Sequence, residues 1–268
     1  MATTRIAFED LPAAVHTAIE EQTGPVLKIE PGSEGFNSEI SARVHSAAGT
    51  CFVKGLRTDH PRAWTQRREA EVSPHVRGIA PAVLWHLQTG GWDLVAFEVL
   101  DGHHAVYSPG SPDLPKVADA LRRLSETPCP DIELRSAEQR LLGYVANDED
   151  AEHFVGSALL HTDLNNTNVL VDDERALFVD WAWATRGAPW LDAGYWIIWL
   201  MAGGHTPESA EEWAARVPTW HSAPRAGITA FAEANANLWG EIADAAPDDW
   251  TRRMRDAARG WSAHRSAQ

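Results

Sequence analysis

The segment Ala158-Leu159-Leu160-His161-Thr162-Asp163-Leu164-Asn165-Asn166-Thr167-Asn168-Val169-Leu170-Val171, with Leu177-Phe178-Val179-Asp180-Trp181 close behind it, sets short apolar runs around a polar turn. The runs read as short strands, and the turn carries oxygen-bearing side chains at fixed offsets. Asp163 is suited to take a proton from a hydroxyl, while Asn168 and Asp180 offer the hard oxygen ligands that Mg²⁺ prefers. A lone His-x-Asp pair before an apolar run is usually a turn in which Asp or Asn bonds its own backbone. Asp180, twelve residues beyond Asn168 and inside a second apolar run, is not covered by that explanation.

The upstream half supplies further parts in order. Residues 26–29, 40–44 and 50–54 read as strands, and Pro31-Gly32-Ser33-Glu34-Gly35-Phe36-Asn37-Ser38 between the first two is a glycine-containing turn. Ser33 and Gly35 are its candidates for letting backbone amides approach a phosphate. Lys54 ends the third strand, and residues 63–76 read as a helix offering Glu69, or Glu71 as the fallback, as a carboxylate partner. Residues 82–85 and 93–100 complete five strands before Asp101-Gly102.

The order His-x-Asp-x-x-x-x-Asn followed by a strand-borne Asp is a kinase catalytic segment. It resembles the aminoglycoside phosphotransferases and related small-molecule kinases, which typically carry His-Gly-Asp-Leu-x-x-x-Asn and then Ile/Val-Asp-Phe/Trp. Thr162 stands where that family usually has Gly and eukaryotic protein kinases have Arg, and Asn165 stands where protein kinases keep Lys. Both departures favour the small-molecule branch.

The resemblance implies an α+β, protein-kinase-like two-lobed fold: a small N-terminal antiparallel β-sheet lobe (1–100), a larger helical lobe (101–268), and a hinge near 97–102. It implies ATP as donor, with GTP left open, and Mg²⁺ held by Asn168 and Asp180. Asp163 becomes the base, Lys54 the phosphate-orienting lysine held by Glu69, and Phe97 the gatekeeper. The Glu98 carbonyl and the Leu100 amide take the adenine edge. Asp192, in Pro189-Trp190-Leu191-Asp192-Ala193, becomes a support of the catalytic loop, and His161 a structural residue. The acceptor is a hydroxyl of a small cationic molecule such as an aminoglycoside antibiotic. A metabolite kinase (amino sugar, choline-like alcohol or homoserine) and a non-catalytic nucleotide-binding protein remain the alternatives.

Composition narrows the classes. The net charge is −15, and residues 101–268, with 26 acidic and 14 basic side chains, hold most of it. Such a field repels nucleic acid and anionic membranes and attracts cations. No apolar run approaches the roughly 20 residues of a bilayer span. The first residues lack a signal-peptide core, and two cysteines give no disulfide framework. A cytoplasmic monomer or homodimer is the expectation. Beyond residue 102, helices are expected over 114–126, 207–217, 226–245 and 249–260. The acidic cluster Asp148-Glu149-Asp150-Ala151-Glu152 reads as a helix cap and solvated surface, adjacent His103-His104 as a loop rather than a metal site, and most of the 13 tryptophans as core.

Overall fold

Alternation along the strands builds the first unit. In the computed structural model, which describes residues 5–32 and 38–268, five strands form one antiparallel sheet. They are β1 (Val26–Pro31), β2 (Ile40–Ser46), β3 (Gly49–Arg57), β4 (Val83–Thr89) and β5 (Trp92–Glu98), in the order β1-β2-β3-β5-β4. Alternate residues Ile40, Ala42 and Val44, Cys51 and Val53, and Trp92, Leu94 and Ala96 share one buried cluster with Val15 and Ile19. Val15 and Ile19 lie one turn apart on α1 (Ala13–Thr23), so that face of the sheet is sealed by this helix. The opposite face receives α2 (Ala63–Val72), which packs on β3 and β5. Having helices on both faces explains why β5 is buried from Trp92 through Ala96.

This unit comprises the described residues through Asp101 together with Asp180–Ala182; Gly102–Val179 and Trp183–Gln268 form a second unit. Its short strands are β6 (His103–His104), β7 (Arg135–Ser136), β8 (Ala158–Leu160), β9 (Val169–Val171), β10 (Ala176–Phe178) and β11 (Thr185–Gly187). They make two three-stranded sheets, β10-β9-β6 and β7-β11-β8. Helices α3 (Leu114–Ser125), α4 (Ala137–Leu141), α5 (Leu191–Ala202), α6 (Pro207–Ala214), α7 (Arg225–Ala245) and α8 (Asp249–Ser266) supply the bulk. Helix α5 is buried from Leu191 through Leu200, as its apolar sequence requires. Gly194 permits α7 to approach closely, since a Cβ there would stand 2.8 Å from the Phe231 ring. That ring meets Tyr195, Trp190, Phe154 and Trp261 edge-on, with centroids 4.8–6.1 Å apart. Trp190, Trp196 and Trp261 are fully buried, so these tryptophans are core.

Several element ends differ from expectation. Helix α2 stops at Val72 and gives way to a 3₁₀ turn at Ser73–His75, because Pro74 lacks an amide and crowds the preceding turn. Helix α8 runs past Gly260 to Ser266, anchored by buried Trp261, whose Nε1 donates to Glu211 Oε1 at 2.8 Å. Asp150 does cap: it accepts from the Asn147 amide at 3.3 Å at the start of a 3₁₀ helix. Among the described residues no helix is long and apolar enough to cross a membrane.

Candidate active site

The first cluster follows from the two-residue period of β3. Cys51 and Val53 belong to the α1 core, so Lys54 is turned to the opposite face, where α2 lies. Lys54 Nζ stands 3.0 Å from Glu69 Oε1 and 4.0 Å from Asp180 Oδ1, and 5.5 Å from the Phe97 ring centroid. Glu69 is 4% exposed. Glu71, two residues on, lies most of a half-turn around the helix, half-exposed and 3.7 Å from Arg68. The choice between the two glutamates therefore falls to Glu69.

The electrostatics of this cluster are balanced by opposing effects. Burial works against the Lys54 ammonium, but the Asp180 and Glu69 carboxylates outweigh it and hold the group above its ordinary value. Burial pushes the Glu69 carboxyl up, while Lys54 and the Trp181 backbone amide draw it back. One cation thus serves two carboxylates in a site largely closed to water.

The second cluster is the loop after β8. The Val179 amide donates to the Asn168 carbonyl at 2.9 Å, which locks the residue before Asp180 to the metal-ligand candidate on the loop. His161 Nε2 donates to the Val179 carbonyl at 2.9 Å, and its Nδ1 accepts from the Asp163 amide at 3.3 Å. A carbonyl only accepts and an amide only donates, so the ring is neutral with its hydrogen on Nε2. The ring packs on Phe178, 5.6 Å away. Asn168 Nδ2 donates to the Asp163 carbonyl at 3.2 Å, which fixes the amide so that Oδ1 is the end left to accept a cation. Asn165 caps the short 3₁₀ turn Asn166–Asn168 by accepting from the Thr167 amide.

Asp192, in the first turn of α5, holds the loop backbone. Its Oδ2 accepts from the His161 amide and its Oδ1 from the Thr162 amide, both at 2.8 Å. Burial pushes its carboxyl up to about 6 despite these two bonds and the nearby Arg140. The folded state therefore binds this proton more tightly than the unfolded chain does. The contribution is most favourable below pH ~4 and is lost as pH rises through about 6, on the order of 3 kcal/mol. Urea unfolding of the wild type and Asp192→Asn at pH 4.5 and pH 7 checks the sign. The wild type should lose ground to the variant as pH rises; a gain would contradict it.

Thr162 and Asp180 both have left-handed backbones, with φ of 66° and 63°. Asp tolerates this region, but a β-branched residue there is an outlier that costs about 1–3 kcal/mol.

The hinge candidates lie at the end of β5. Phe97 pairs across the sheet with Phe52 and Val83, the Glu98 amide donates to the Ala82 carbonyl at 2.9 Å, and Leu100 follows the strand end. Ser33 and Gly35 lie outside the described residues. Lys54, Glu69, Phe97 and Asp180 thus gather in one unit and Asp163 and Asn168 in the other. His103 and His104 form strand β6 against β9 rather than the expected loop, and His103 pairs with Asp113 at 3.1 Å.

Two residues unmarked by sequence reach the loop. Tyr107 Oη donates to the Leu164 carbonyl at 3.1 Å, and burial, with Asp163 and Asp113 nearby, pushes its phenol up. Arg140 donates to the Thr162 hydroxyl at 2.6 Å. Neither belongs to a local motif, so only tertiary structure discloses them.

No family model and no curated protein matches the chain. Solved structures do. Aminoglycoside phosphotransferase APH(4)-Ia is 16% identical, with 92% of this chain and 98% of that one covered at a TM-score of 0.60. Choline kinase LicA from Streptococcus pneumoniae is 12% identical (93% and 99% covered, TM-score 0.62). Macrolide 2'-phosphotransferase MphH from Brachybacterium faecium is 17% identical (91% and 97% covered, TM-score 0.57). A thermostable mutant of the first has been solved as a ternary complex with ADP and hygromycin B. The chain has the two-lobed α+β fold of these small-molecule kinases and phosphotransferases. At such identities the likeness defines the fold and leaves the substrate to the site.

Proposed function

We propose that the protein transfers the γ-phosphoryl group of ATP to a hydroxyl of a small, cationic acceptor. The observation that carries this reading is the Lys54–Glu69 pair at 3.0 Å with Asp180 at 4.0 Å from the same ammonium. One ammonium beside two carboxylates leaves a net charge of −1, so this cluster would receive a nucleotide's phosphates together with a divalent cation, with Lys54 as their charged donor. Lys54 would orient the α- and β-phosphates, and Glu69 would hold it in place. Asn168 and Asp180 would hold Mg²⁺, and their oxygens suit a hard cation. When bound, the metal would neutralise charge on the β- and γ-phosphates.

Asp163 would orient the acceptor hydroxyl and take its proton, late, because phosphoryl transfer has a loose transition state. The backbone at 161–163 would be kept in register by Asp192 and by the His161 bonds to Val179 and Asp163. Phe97, the Glu98 carbonyl and the Leu100 amide would receive the adenine. The charge of −15 favours a cationic acceptor. An aminoglycoside-like antibiotic is the reading put forward, with a choline-like alcohol as the second, on the likeness to a choline kinase.

An ADP-release assay with MgATP over a panel of aminoglycosides, macrolides, choline-like alcohols, amino sugars and homoserine tests the proposal. Acceptor-dependent ADP release from a cationic compound is the expected result. Nucleotide binding without release on any acceptor would leave the non-catalytic alternative standing instead.

A further inference from the structure

Thr162 combines two features that conflict. Its side chain is β-branched and 7% exposed, yet its backbone sits at φ 66°, where glycine is at ease and β-branched residues are not. Something must hold it there. Asp192 fixes the amide, and the hydroxyl is fixed as well. Thr162 Oγ1 donates to the Trp183 carbonyl at 3.1 Å and accepts from Arg140 Nη1 at 2.6 Å.

Arg140 is positioned to act as a clamp. It lies on α4 and reaches 22 residues forward in sequence to Thr162. The same Nη1 donates to Thr185 Oγ1 of β11 at 2.6 Å and lies 3.4 Å from the Trp183 carbonyl. Thr185 in turn donates to that carbonyl at 2.8 Å. The guanidinium carbon is 5.7 Å from the Trp183 ring centroid, within cation–π range. Thr185 is fully buried, so one end of the bridge is anchored in the sheet that also contains β8, the strand leading into the loop.

We propose that Arg140 is a positioning residue for the loop: by fixing the Thr162 hydroxyl it maintains the left-handed turn that sets the backbone of His161 and Asp163. Charge-assisted bonds of 2.6 Å are stronger than neutral ones, which suits them to oppose backbone strain. A glycine at 162 would adopt the turn without a clamp, because it carries no strain there for a clamp to oppose. A clamped threonine restricts the loop to one geometry. Any consequence for catalysis rests on the reading of Asp163 given above; the clamp itself does not.

The test is a cycle of wild type, Arg140→Met, Thr162→Gly and the double variant, read by amide hydrogen exchange at residues 161 and 162. Arg140→Met should lower protection of both amides by roughly tenfold or more. Adding Thr162→Gly should restore it, because glycine removes the strain that the clamp opposes. If the glycine variant deepens the loss or leaves it unchanged, Arg140 merely ties α4 to β11 and the proposal fails. Should Arg140→Met not fold, Thr162→Ser and Thr162→Val replace it. The serine retains the hydroxyl and should keep protection, the valine should lose it, and equal protection in the two would overturn the clamp.

Exchange requires neither nucleotide nor acceptor, so it distinguishes failure of the clamp from failure of the phosphotransfer reading. With a turned-over acceptor in hand, Arg140→Met should lower kcat while KM for ATP stays unchanged. An unchanged kcat would overturn its part in positioning Asp163.

Discussion

Asp163→Asn is expected to retain MgATP binding and to slow phosphoryl transfer by roughly 10²–10⁴-fold. The substitution is nearly isosteric. Two loop bonds at this residue run through its backbone: the amide donates to His161 Nδ1 and the carbonyl accepts from Asn168 Nδ2. These two bonds should therefore survive the substitution, while the capacity to take a proton is removed. The loss corresponds to about 3–5 kcal/mol of barrier. Parallel measurement of nucleotide affinity and turnover checks it, and full turnover by the variant would remove Asp163 from the reaction.

Lys54→Met should have the largest effect on both stability and nucleotide binding. Glu69 is 4% exposed and Asp180 half-buried, and Lys54 is the cation recorded beside both. Removing one partner of a buried pair leaves uncompensated charge and typically costs about 3–5 kcal/mol. Burial already pushes the Glu69 carboxyl up, so this side chain can relieve part of the cost by taking a proton. The stability lost should therefore be greater at pH 8 than at pH 5. Denaturant unfolding at the two pH values, with and without MgATP, gives both readouts. Unchanged stability together with an undiminished nucleotide-induced shift would contradict the role assigned to the pair.

Much of this arrangement was legible in the sequence because it depends on short-range periods. Alternation placed the five strands, and the position of Lys54 on β3, opposite the Cys51 and Val53 face, follows from the same two-residue period. The loop itself was legible because His161, Asp163 and Asn168, followed by Asp180 after the next apolar run, keep the offsets of the kinase segment they resemble. Asp192 was legible through the family element that Pro189-Trp190-Leu191-Asp192-Ala193 resembles, and its two 2.8 Å bonds to the loop amides are the support expected of it.

What was not legible depends on distant partners. Strand β4 runs to Thr89 rather than ending near Trp85, because His86 and Gln88, polar residues on an edge strand, are bonded by the buried Asp93. Helix α8 passes Gly260 because Trp261 is anchored by Glu211, 50 residues away. Thr162 was visible as a departure from a family pattern, but neither its left-handed backbone nor the arginine that holds it could be read from neighbouring residues. Tyr107 likewise contacts the loop from 57 residues upstream.

Phosphorus NMR of the protein with MgATP and the acceptor panel tests the central claim most directly. A phosphomonoester resonance should grow as the γ-phosphate signal falls and ADP appears, and it should be absent with Asp163→Asn. ATP left unchanged across the whole panel, together with no magnesium-dependent ATP binding, would contradict phosphoryl transfer by this chain.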